Sequence, residues 1–175
     1  MEDDTVSISK TVFDEMNWLL EQAPRWVDRG QATTVLTSIT VIEELLEAAL
    51  MARMMPLTKK LRARLFDGYG PLNTLAAKAD VAYAFHILSE RDYDDMQIIR
   101  KIRNEFAHSR EPLGFEVKRI EQMVSRLSKP KATCESAYQS YFARAFEIGR
   151  AMLASAERDT KRAARGAKVQ RKKKR

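Results

Sequence analysis

The residues of this 175-residue chain best placed to do chemistry lie in "RNEFAH", from Arg103 to His108. An arginine and a histidine in one short stretch suit metal-independent acid–base chemistry on RNA. The imidazole would move a proton at the 2′-hydroxyl or the leaving oxygen, and the guanidinium would stabilise the phosphorane charge. A plainer reading stands beside this one. At 100° per residue Met96, Ile99, Ile102 and Phe106 share one side of a helix, and Arg103 falls between the directions of Met96 and Ile99. A lone charge facing a core costs several kcal/mol, so Arg103 calls for a carboxylate. Glu43 is the expected partner, because it projects at the edge of the apolar stripe Val35, Ile39, Ile42, Leu46, Ala49 and Leu50. Glu47 is the second choice, and Glu44 points away.

His108 sits about 140° around a continuous helix from Arg103. The following "SREP" suggests that the helix stops here, which would let the imidazole fold back. In the plainer reading it caps carbonyls at the helix end, where the helix dipole favours an imidazolium.

The elements that must position these residues are helical almost throughout, with no convincing period-2 strand. The spacing predicts helices over 9–22, 31–55, 57–66, 73–88, 90–107, 114–128 and 132–164. Ser89 is placed to cap the fifth, with acids in its first turn. Short connections imply antiparallel neighbours, so the expected fold is all-α: a single-domain bundle of six to seven helices with a disordered or helical basic tail. The domain is read as 1–160 and the tail as 161–175. The stretch "LNTLAAKADVAYAFHIL" is apolar on nearly every face, which predicts the buried centre of the bundle and not a groove-reading helix. His86, within it, is read as a hydrogen-bonded core histidine. Tyr138, Tyr141, Phe142 and Phe146 recur at helical spacing, as core or a dimer face before a base-stacking platform. Trp18 and Trp26 are read as anchors of the first helix.

Composition narrows the function. One cysteine, Cys134, excludes a disulfide framework, and two histidines with no Cys/His cluster argue against a metal or other cofactor. The acidic opening "MEDDTV" is no secretory signal, and no apolar run nears the ~20 residues a membrane span needs. A cytoplasmic protein with no membrane partner is expected. The formal charge of +7 is uneven. Lys161, Arg162, Arg165, Lys168, Arg171, Lys172, Lys173, Lys174 and Arg175 are nine cations in a stretch without an acid. Removing those nine from the 31 basic residues leaves 22 against 24 acids, a net of −2. The basic character belongs to the tail. It would add salt-sensitive, sequence-independent affinity for nucleic acid, or serve only as a solvated extension.

Residues 68–109, ending in "IRKIRNEFAHS", together with "DRGQATTVLTSITVIEELLEAAL", resemble the MltR family of mannitol operon repressor-like proteins. The resemblance spans about 25–127. It implies an all-helical cytoplasmic regulator of sugar-alcohol uptake with no recognised DNA-binding motif. "RNEFAH" is also similar to the Arg–polar–His signature of HEPN domains, helical bundles that often dimerise and include metal-independent ribonucleases of toxin and defence type. Carried over, Arg103 and His108 would be the catalytic pair, with Asn104 the polar residue after the arginine. The extended basic C-terminus belongs to neither pattern. Of the two functions, the regulator that acts through protein partners, as a homodimer, leads. The ribonuclease is the alternative.

Overall fold

The computed structural model describes residues 30–109 and 113–173, with side chains as far as 164. Six helices appear among them: α1 (Gln31–Arg53), α2 (Lys59–Phe66), α3 (Leu75–Ala84), α4 (Glu90–His108), α5 (Lys118–Val124) and α6 (Ala137–Lys173). No strand occurs among the described residues. The helix expected over 9–22, with Trp18 and Trp26 nearby, lies outside them.

α1 is the axis of the bundle and packs against α3, α4 and α6. Its expected stripe of Val35, Ile39, Ile42, Leu46, Ala49 and Leu50 is buried, and Leu45 joins it. Each such aliphatic side chain contributes about 1.5–3 kcal/mol by leaving water. α6 answers with Tyr141, Ala145, Ile148, Met152 and Ala156, all buried at a spacing of three to four residues. α4 presents Met96, Ile99, Ile102 and Phe106.

One ring ties the upper layer together. Phe115, from the segment before α5, lies 5.3 Å from Phe106, 5.2 Å from Tyr141 and 5.5 Å from Tyr138, centroid to centroid. Its backbone N–H donates to Gln31 Oε1 at 2.7 Å, which pins it at the start of α1. Tyr141 and Phe142 are therefore core residues, as their spacing suggested.

Hydroxyl caps start three helices. Thr58, Thr74 and Ser89 accept the N–H groups of Leu61, Ala77 and Asp92 at 3.3, 3.1 and 3.2 Å. Between α2 and α3, "DGYG" makes a tight turn in which Gly70 cannot carry a side chain. A Cβ there would lie 2.5 Å from the Leu65 carbonyl oxygen.

Two expectations need correction here. α3 is shorter than 73–88 and is not the buried centre, since Tyr83, Ala84 and Phe85 are exposed. It ends because His86 adopts φ 54°, a left-handed conformation. Ile87 N–H then reaches back to Ala82 O at 2.8 Å and His86 N–H to Tyr83 O at 2.9 Å, the pair of bonds that closes a Schellman turn. His86 is exposed, not a core histidine. The turn's geometry swings it outward while Ile87 and Leu88 fall into the core.

Candidate functional site

The first candidate is the Arg103 region. Arg103 and His108 both belong to α4, His108 as its last residue, so the angular separation of a regular helix holds between them. The fold-back of His108 does not occur. It is exposed, and the chain leaves the helix at Ser109, whose N–H donates to Glu105 O at 3.0 Å. Arg103 is half-buried, and its Nη1 donates to the Asn104 side-chain oxygen at 3.2 Å. Its stem follows the apolar stripe while its head snorkels to the exposed neighbour. The structure thus joins Arg103 to Asn104 and leaves His108 apart.

Glu43 does not pair with Arg103. Its Oε1 takes Lys78 Nζ of α3 at 2.9 Å. Lys78 is only 5% exposed, and it also reaches Glu47 Oε2 at 3.3 Å. Glu47 Oε1 in turn holds Arg62 of α2 at 2.7 Å. A buried ammonium needs anions on more than one side, and two acids one helical turn apart on α1 supply them. The expected Glu43–Arg103 pair is thus replaced by Glu43–Lys78, between α1 and α3.

A buried arginine held by carboxylates does exist, at Arg144 of α6. It is 4% exposed. Its Nε donates to Asp95 Oδ2 and its Nη2 to Asp92 Oδ1, each at 2.6 Å. Burial by itself would lower the guanidinium pKa, but the bonds to Asp95 and Asp92 outweigh it and hold the group above its usual range. Asp95 Oδ1 accepts the Ser128 N–H at 3.0 Å, so the buried carboxylate is satisfied on both oxygens. The signal was legible: Arg144 lies three residues from Tyr141 and four from Ile148, inside the α6 stripe. The same test applied to Arg103 finds it.

The end of α3 holds two exposed aromatics on a fixed turn. Tyr83 is 39% and Phe85 42% exposed. Tyr83 stacks on Tyr93 of α4 at 4.7 Å, with planes 21° apart. Tyr93 Oη donates to Asp80 Oδ1 at 2.8 Å, and that bond holds the phenol pKa above its usual range. Arg53, the last residue of α1, clamps the turn by donating from Nη1 to Phe85 O at 3.0 Å while pairing with Asp159 of α6 at 2.7 Å. Exposed aromatics are therefore held on a fixed frame. Sequence reasoning missed them because a uniformly apolar segment does not say which face is left over.

Of the basic residues in the tail, Lys161 and Arg162 are exposed, and Lys161 pairs with Glu157 at 3.6 Å. The side chains of Arg165, Lys168 and Arg171 through Arg175 lie outside the described residues. Among the described residues no cluster of histidine, cysteine or acid could hold a metal ion. None of the described helices is long and apolar enough to cross a membrane.

The class these features define is an all-helical bundle cross-linked by interior ion pairs. No family model and no curated protein matches the chain. A solved structure does: a chain of the X-ray structure of the MtlR–HPr complex from Escherichia coli. The TM-score is 0.54 at 19% identity, over 83% of this chain and 95% of that one. At that identity the likeness concerns the fold. It agrees with the MltR-like bundle and lends nothing to the HEPN-like motif.

Proposed function

We propose that this chain is a regulator of the MltR kind that works by binding a protein partner, without a cofactor and as a homodimer. The observation that carries the reading is the aromatic edge at the end of α3, where Tyr83 and Phe85 stay near 40% exposed on a turn clamped by Arg53. Aromatic side chains fixed in water are the usual anchors of protein interfaces, because they bury large areas at small entropic cost. The likeness to a chain solved together with HPr supports partner binding, and makes HPr the first partner to try.

The test is calorimetric titration of HPr into the protein. Saturable binding is expected, weakened at least tenfold in Tyr83→Asp and Phe85→Asp variants whose unfolding midpoints are unchanged. Variants that bind like the wild type would remove the edge from the interface. Light scattering on the same samples reads the dimer. The competing nuclease reading is settled by incubating RNA with the protein in EDTA. Cleavage by the wild type but not by His108→Ala, leaving 2′,3′-cyclic phosphate ends, would overturn the proposal.

A further inference from the structure

The basic tail is not a loose appendage to α6 but its direct continuation. α6 runs 37 residues, about 55 Å, whereas α1, the next longest helix among the described residues, runs 23, about 35 Å. Among the described side chains, the last tertiary anchor on α6 is Asp159, held by Arg53. Lys161 through Ala164 are then all exposed, and four consecutive exposed residues make a whole turn with no side against the bundle. The helical backbone continues to Lys173. Alanine, lysine, arginine and glutamine favour this, and cations near a helix C-terminus suit its dipole. Residues 161–173 thus add about 20 Å of helix, and its first turn, as far as Ala164, stands clear of the core.

The register of that helix sorts its charges. Positions 161, 165, 168 and 172 repeat at steps of four, three and four, and fall within about 60° of one another. All four are Lys or Arg. The opposite side holds Ala163, Gly166, Ala167 and Gln170. From 161 to 175 the one bulky apolar residue is Val169, too little to seat a helix in a lipid interface, which needs a broad apolar face. What remains is a line of four cations over about 16 Å with no acid after Asp159. A regular polyanion matches such a line, and a nucleic-acid duplex carries one charge per ~1.7 Å of its axis. The arm offers no side chain besides Gln170 suited to reading a base edge.

We propose that residues 161–173 form a helical arm that lies along the phosphate backbone of duplex nucleic acid, through the stripe Lys161, Arg165, Lys168 and Lys172, without reading sequence. This binding is separate from the partner contact proposed above, and the two fail independently.

The experiment compares two variants of the full chain that remove equal charge: Arg165, Lys168 and Lys172→Gln on the stripe, and Arg162, Arg171 and Lys173→Gln off it. Glutamine keeps the helix propensity, and circular dichroism checks that both variants retain wild-type helicity. Anisotropy of a fluorescein-labelled 30-base-pair DNA duplex of arbitrary sequence is the readout. Four contacts predict that wild-type affinity falls roughly 100-fold between 50 and 200 mM salt. The stripe variant is expected to bind at least tenfold more weakly, with a much flatter salt dependence, and the off-stripe variant within about threefold of wild type. Equal weakening of both variants would mean that bulk charge, not a helical stripe, does the binding. That result, or no duplex binding at 50 mM salt, or tighter binding to phosphatidylglycerol vesicles than to the duplex, overturns the proposal.

Discussion

Arg144 of α6 and Asp95 of α4 meet inside the bundle at 2.6 Å, both less than 5% exposed. Neither side chain could sit there alone. The desolvation of each is offset by the other, and by the further bonds to Asp92, Glu147 and the Ser128 N–H. The pair therefore ties α4 to α6 across the interior.

Breaking this pair from one side strands a buried charge. Arg144→Met is expected to lower stability by about 3–5 kcal/mol, because it leaves the Asp95 carboxylate buried, and Asp95→Asn by less, since Asp92 still holds the guanidinium at 2.6 Å. Replacing both with apolar residues costs less than the two single changes added together. Denaturant midpoints of the four proteins form the cycle, and strict additivity would mean that the two groups are not coupled.

At the Lys78 site, too, acids share one cation. Glu43→Ala alone should cost about 1 kcal/mol or less, since Glu47 still stands 3.3 Å from the ammonium. Removing both acids leaves Lys78 buried without an anion and should cost about 3 kcal/mol. Urea unfolding of the two variants separates the outcomes.

His86 holds a conformation that suits glycine. An L-residue in the left-handed region costs about 1 kcal/mol or more, and glycine avoids that at some entropic expense. His86→Gly is expected to raise stability by up to about 1 kcal/mol, seen as a higher melting temperature. The opposite change at the other turn, Gly70→Ala, should destabilise by about 2 kcal/mol or more, because the new methyl would meet the Leu65 and Arg64 carbonyls.

Tyr141 supplies a pH dependence. Its hydroxyl is buried without a hydrogen bond of normal geometry, and burial pushes its pKa up, opposed weakly by the nearby Ser38. The folded form thus keeps a proton that the unfolded chain releases near the ordinary pKa of 10. Stability from this group is full below pH 10 and declines as the pH rises above it. Tyr141→Phe should flatten that decline and leave neutral-pH stability within about 1 kcal/mol of wild type. Midpoints between pH 8 and 11 make the comparison.

The periodic features were legible from the residues alone. The stripes of α1 and α4 follow from apolar spacing, and Ser89 caps α4 because a hydroxyl before an acidic turn has little else to do. Pairing was not legible. Arg103 and Arg144 look alike in the sequence, each a cation inside an apolar stripe. Which one is engulfed depends on what the facing helix presents at that level. α4 offers Asp92 and Asp95 to Arg144, whereas Arg103 escapes along its own helix to Asn104. The candidate site divides in the same way: "RNEFAH" was visible as a motif, and the aromatic edge of Tyr83 and Phe85 was not.

By itself, then, the order of residues determined that this chain is helical, where its apolar faces lie, and that its cations gather past residue 160. These are local properties, set by a repeat of 3.6 residues and by side-chain type. Only the tertiary structure decided which acid meets which base, that α3 leaves aromatics in water, and that the basic segment continues α6 as helix to Lys173. Those outcomes depend on distances between segments remote in the chain, and no local period encodes them.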